Sequence, residues 1–250
     1  MLVLVFPILG GLLGLGFLRL IGFKRFSGGD IILGLVVFFL SIIIQQPIQQ
    51  MPILYIGFIT SSLGELMTSG NVTIFQRRII DYLYSHGLLY VLIISTWFGY
   101  IAGFIQTAFK YLFIRDKSYT ASVNIGAGFG LVEAFYIGIT GFISTIFTGY
   151  TVIAPIYYYA LSALERFSTF LFHVGSALYL YNSWIRKNRK GALVIIGIHG
   201  FIDTLATLYQ FTADKALLIV IEALVLVTGL TLILKLYKSA IIEAEEKVMW

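Results

Sequence analysis

The chain has no cysteine among its 250 residues, only four prolines and three histidines, and few charges of either sign. Without cysteine it can form no disulfide, no thiolate metal site and no lipidated thiol. No Pro- or Ser-rich stretch marks a linker and no internal repeat is evident, so a single membrane domain is expected over 1–250. Charged residues make up 12% and hydrophobic residues 59%, with a mean hydropathy of +0.93, which excludes a soluble globular domain. What the chain has instead is long apolar runs. It reads as an all-α, multi-pass protein of the cell membrane.

Crossing ~30 Å of hydrocarbon takes about 20 apolar residues at 1.5 Å per residue. Seven runs of that kind are expected, over roughly 2–22, 30–46, 88–114, 119–146, 157–184, 190–210 and 214–237. The first lacks a basic leading region and carries Arg19, Lys24 and Arg25 after its apolar core, so it is expected to stay as a signal anchor. Lys and Arg concentrate in alternate connections: Arg19, Lys24 and Arg25; Arg115 and Lys117; Arg186, Lys187, Arg189 and Lys190; then Lys235, Lys238 and Lys247. The positive-inside rule places those on the cytoplasmic side, giving an outside N-terminus and a cytoplasmic C-terminus. This topology accounts for the net charge of +5 without nucleic acid, because the basic residues are dispersed and not interleaved with stacking aromatics. The bilayer is the first partner.

The stretch 45–87 is then an external loop, with an apolar helix in ILYIGFITSSLGELM lying at the interface. It contains the sequon Asn71-Val72-Thr73, a candidate glycosylation site on the external side. Glu65 and Asp81 are expected in solvent and His86 at a loop or interface. The acidic tail 239–250 reads as a solvated helix end in the cytoplasm, Tyr157, Tyr158 and Tyr159 as an interfacial aromatic belt, and Trp184 as its inner counterpart. Scarce Asn and Gln, few Met and no Cys fit a thermophile's composition.

Ionisable groups inside the apolar runs are the functional signal. A charge at the centre of a membrane helix costs roughly 2.5 to 3.5 kcal/mol on insertion scales, so such groups face a protein interior and take partners. His173 lies in FSTFLFHVGSALYLY, and His199 lies in the next run with Asp203 one turn later. Glu133 lies in the run before, beside a row of Gly126, Gly130 and Ala134 that lets helix backbones approach closely. Arg166 and His173 share a helix face, being seven residues apart. Glu165 and Arg166 sit near the external boundary, where a snorkelling ion pair is one reading, and Glu222 reads as structural. Glu133, His173, His199 and Asp203 are expected at one depth. Two imidazoles and a carboxylate can form a zinc set with an open position for water. They can also act as metal-free general bases, or simply hydrogen-bond helices together.

The order of these motifs resembles the YhfC-type membrane peptidases: Gly126-Ala127-Gly128-Phe129-Gly130-Leu131-Val132-Glu133-Ala134, then Glu165-Arg166 through His173 to Ser176, then His199 to Asp203. The early GDIILGLVVFFLSIIIQQPIQQ is similar to that family's second span. The resemblance implies kinship with the CAAX prenyl endopeptidases, the PrsW proteases and the anterior-pharynx-defective subunit of γ-secretase. Active members carry an EExxxR motif whose glutamates work with later histidines, whereas the γ-secretase subunit is a seven-span scaffold that keeps two intramembrane histidines. Here the corresponding segment, WFGYIAGFIQTAFK from Trp97 to Lys110, has no acidic residue and no Arg, and only Gln106 and Lys110 are polar enough to substitute. Phe129 stands where the resemblance implies a histidine. The TAFKYLFIRDKS stretch is similar to the basic end of the scaffold's corresponding helix.

Losing a general base typically lowers a rate by ~10² to 10⁴. The expectation is therefore a degenerate intramembrane protease acting as a scaffolding or binding subunit for a membrane-protein partner or transmembrane peptide, with no cofactor. In that role Glu133, His173, His199 and Asp203, supported by Glu165 and Arg166, form a polar clasp. The alternative is an active intramembrane endopeptidase in which Glu133 serves as base and His173 and His199 hold zinc with it. A transporter would show broken helices and internal repeats, and neither is evident.

Overall fold

A computed structural model describes residues 1–148 and 155–246, with side chains described for 1–146 and 155–242. The described residues form ten helices and no strand: α1 (Leu2–Leu20), α2 (Gly28–Gln49), α3 (Met51–Ile59), α4 (Ser62–Ser69), α5 (Val72–Ser85), α6 (Leu88–Ile114), α7 (Tyr119–Thr148), α8 (Ile156–Ile185), α9 (Lys190–Thr212) and α10 (Lys215–Glu246). Six stretches are long and apolar enough to cross a membrane: Leu2–Leu20, Gly28–Ile59, Leu88–Ile114, Tyr119–Ile146, Lys190–Thr212 and Lys215–Ile242. The seventh expected run is α8. Its 30 residues exceed the crossing length, but Glu165, Arg166, His173 and Asn182 dilute its apolar character. The outer faces display large apolar side chains such as Leu13, Ile43, Phe104, Ile219 and Val227, as surfaces bathed in hydrocarbon do. The chain is a multi-pass membrane protein.

Residue contacts divide the chain into two units, with boundaries inside α2, α6, α9 and α10. Unit 1 comprises Met1–Leu40, Ala108–Leu193 and Glu222–Trp250. In it α1 and α7 pack on each other and on α8, whose residues from Arg166 to Ser183 are mostly buried. Phe170, Leu171, Val174 and Leu178 of α8 meet Leu18 of α1, Val123 and Ala127 of α7, and Ile233 and Leu236 of α10. In lipid the hydrophobic effect does not separate helix from acyl chain, so close van der Waals packing has to hold such helices together. Gly126 shows how this is met. A Cβ there would fall 2.8 Å from both the His173 carbonyl oxygen and the Val174 Cα, so only hydrogen fits where α7 crosses α8.

Unit 2 comprises Ser41–Thr107 and Val194–Ile221. The stretch expected as a loop is almost wholly helical: α3, α4 and α5 follow one another across it. Pro47 lies inside α2, and Pro52 takes the first turn of α3, where a missing N–H costs no hydrogen bond. Ile56, Ile79 and Leu83 of this cap pack with Val91 and Ile94 of α6, and Leu208 and Phe211 of α9 cover them. Tyr84 donates its hydroxyl to the Phe211 carbonyl. The sequon Asn71 is the N-cap of α5, its side chain accepting from Ile74 N at 3.1 Å. Glu65 pairs with Arg78 at 2.8 Å on the exposed surface, Asp81 lies 4.0 Å from Arg77, and His86 stacks on Tyr82 and Tyr90. Of the acidic tail, 247–250 with Lys247 lie outside the described residues.

Candidate functional site

Unit 1 contains a continuous polar network. Glu133 projects from α7 just beyond Gly130, on the face that meets α8, and Arg166 and His173 of α8 both reach it. The seven-residue spacing on α8 brings one donor to each carboxylate oxygen. Arg166 Nη1 donates to Glu133 Oε1 at 2.9 Å, and the His173 imidazole bonds Glu133 Oε2 through Nε2. Arg166 Nη2 also donates to Glu165. Arg166 therefore does not snorkel outward. A second carboxylate draws it inward, and its side chain is only 9% exposed while that of Glu165 is 43% exposed.

Lys110 closes the network from α6. It is fully buried, and its Nζ lies 3.0 Å from His173 Nδ1 and 3.0 Å from Ser176 Oγ, the latter hydroxyl donating to the His173 carbonyl. The ammonium also sits over the Phe129 ring at 4.9 Å and the Phe172 ring at 5.7 Å, within cation–π reach. An ammonium can only donate. His173 Nδ1 is thus the acceptor, and the ring proton resides on Nε2 and points at Glu133. With a neutral imidazole, the cations Lys110 and Arg166 balance the carboxylates of Glu133 and Glu165. A buried charge without a partner is expensive, and this set has none.

Arg166 Nε and Glu222 Oε2 are buried atoms with no hydrogen-bond partner, and the Glu222 carboxyl lies within electrostatic reach of Glu165 and Arg166.

Unit 2 has its own polar centre. His199 Nε2 lies 3.5 Å from Asp203 Oδ2 one turn along α9, and its Nδ1 lies 3.4 Å from Thr107 Oγ1 of α6. Both distances are at the edge of hydrogen bonding. Next to it α6 and α9 touch backbone to backbone: a Cβ on Gly103 would fall 2.4 Å from Gly200 N. A ladder of amides crosses the same unit. Gln106 donates to Gln45 at 3.0 Å, Gln45 to Gln49 at 3.0 Å, and Gln49 to the Phe98 carbonyl at 2.8 Å. Glu133, Glu165, Arg166 and His173 thus come together in unit 1, and His199 and Asp203 pair in unit 2.

Sequence reasoning named Lys110 only as a polar residue in a motif segment, and did not foresee it as the partner of His173. The signal was present: a lone cation within an apolar helix must find a buried acceptor. The glutamine ladder was missed because the QQPIQQ run at the end of α2 reads locally as a turn, and Gln106 of α6 lies 61 residues from its partner Gln45.

Which known proteins share these features is decided in the second half of the chain. Residues 150–226 match the model of the YhfC intramembrane metalloprotease family. The match spans α8, α9 and the start of α10, and includes Glu165, Arg166, His173, Ser176, His199 and Asp203. It supports an intramembrane-protease-like fold. No curated protein and no solved structure matches the chain.

The YhfC description implies a metal ion, and the unit 1 centre does not fit one. Among the described residues no three of His, Cys, Asp and Glu are grouped to hold a metal. The one imidazole of unit 1 spends Nδ1 on an ammonium and Nε2 on a carboxylate. A divalent ion placed there would meet Lys110 as a like charge.

Proposed function

We propose that this protein is an intramembrane-protease-like scaffold, whose polar centre holds α6, α7 and α8 together so that the bundle can bind a membrane-protein partner or a transmembrane peptide. The observation that carries the reading is the closure of the network. Every functional atom of His173, and both oxygens of Glu133, already has a partner inside the chain. A general base needs a lone pair directed at water or substrate; His173 offers none in this arrangement, and each Glu133 oxygen already accepts from a donor of α8, Arg166 on Oε1 and His173 on Oε2. The protein presents its N-terminus outside and its C-terminus to the cytoplasm.

The test is a comparison of assembly with turnover. After mild extraction from native membranes, the wild-type chain should co-purify with a stoichiometric membrane-protein partner, and Glu133→Gln should reduce the amount of partner recovered. The reading fails if the purified chain alone cleaves a membrane peptide and Glu133→Gln abolishes the cleavage while the fold survives.

A further inference from the structure

His173 is oriented like a metal-ligating histidine. In metal sites the imidazole directs one nitrogen at the cation and gives its other N–H to a carboxylate, which fixes the tautomer and the ring plane. Here the carboxylate is present: Glu133 takes the Nε2 proton and is itself fixed through Oε1 by Arg166 at 2.9 Å. The other nitrogen, Nδ1, also faces a cation, and that cation is the Lys110 ammonium at 3.0 Å. The rest of its surroundings suit a cation of this kind. Ser176 Oγ accepts from it at 3.0 Å, and the Phe129 and Phe172 rings turn π faces toward it, which attract an ammonium but offer no ligand atom to a metal. A distance of 3.0 Å is that of a hydrogen bond, well beyond a zinc–nitrogen bond of about 2.0–2.1 Å.

We infer that the ammonium of Lys110 is the resident cation of this centre, seated on the metal-facing nitrogen of His173, and that its presence is what keeps a divalent ion off that nitrogen. The site is then a latent metal site held by a tethered cation. Removing the charge while leaving Glu133, His173 and Ser176 in place uncovers one imidazole nitrogen and one hydroxyl oxygen for a borderline ion such as Zn²⁺ or Co²⁺, with water completing the shell. This inference does not depend on the scaffolding role. A chain without any partner would count against that role and leave this inference standing, whereas zinc on His173 of a partner-bound wild-type chain would overturn this inference alone.

The experiment uses the full chain in nanodiscs with Co²⁺ as the probe, read by its visible absorption, together with Zn²⁺ retained after dialysis. Wild type should show no binding that His173→Ala removes. Lys110→Ala should bind Co²⁺ at least tenfold more tightly than wild type, and adding His173→Ala should cancel the gain. Lys110→Met, which keeps an apolar stem against Phe129 and Phe172 but drops the ammonium, is the second variant, and it should behave in the same way. Wild type supplies a readout that needs no variant to fold: nitrogen NMR of histidine-labelled protein, which has only three histidines to resolve, should show the His173 proton on Nε2 and an unmetallated Nδ1. The inference is overturned by zinc bound through His173 in the wild type, by a proton on Nδ1, or by folded Lys110 variants that gain no His173-dependent metal.

Discussion

At the level of single residues, the account turns on the charge balance of Lys110, His173, Glu133, Arg166 and Glu165. Removing one member of a buried ion pair leaves the other uncompensated and costs about 3–5 kcal/mol. Glu133→Gln leaves Arg166 with Glu165 alone, so a loss near the lower end of that range is expected in denaturation followed in detergent. The double variant Glu133→Gln with Arg166→Met should lose less than the sum of the single changes, because the two groups share one interaction. His199→Ala should cost about 0.6 kcal/mol, the average for a hydrogen bond between membrane helices, given that its Asp203 and Thr107 distances are long, 3.5 and 3.4 Å. A loss as large as that of Glu133→Gln would contradict this expectation. Much of this site was legible from depth: Glu133 and His173 stand out because an ionisable group in an apolar run must have a partner. The identity of that partner was not legible. Lys110 lies 63 residues before His173, and no local spacing connects them; only the crossing of α6 with α8 does.

Among the helices, α8 carries the most of the account, and its polar character is a consequence of its position. A helix buried on most sides can hold Arg166, His173 and Ser176 because neighbouring helices supply their partners. The apolar runs showed where the long helices lie, since length and hydrophobicity are local properties. The stretch 45–87 was less readable. Its helices are short, two prolines interrupt the pattern, and their stability comes from packing on Val91, Ile94, Leu208 and Phe211, which are remote in sequence. The Gly126 row was visible as a period of four, whereas Gly103 and Gly200 are single glycines whose meaning appears only when α6 and α9 cross. Gly126→Val or Gly103→Val should each cost about 1–3 kcal/mol by overpacking, read as a lower thermal unfolding midpoint in detergent. At the other end of the scale, Asn71→Ala removes one N-cap from an exposed helix and should cost about 1 kcal/mol, a loss confined to α5 that hydrogen exchange can localise.

Taken as a whole, the molecule is a multi-pass membrane protein with a polar centre in unit 1, and its residues 150–226 match an intramembrane-protease family. Its lack of cysteine makes the proposed topology directly measurable. Single cysteines at Lys24, Lys117 or Lys187 should react with an impermeant thiol reagent only from the cytoplasmic side, and cysteines at Arg77 or Lys215 only from outside. The reverse pattern would refute the proposed orientation. The central claim is that the network among α6, α7 and α8 serves assembly. Native mass spectrometry of the complex released gently from its own membrane reports partner, stoichiometry and bound metal in one spectrum. The account predicts this chain in fixed ratio with a second membrane protein and with no zinc mass on it. A solitary chain carrying one zinc ion would contradict it.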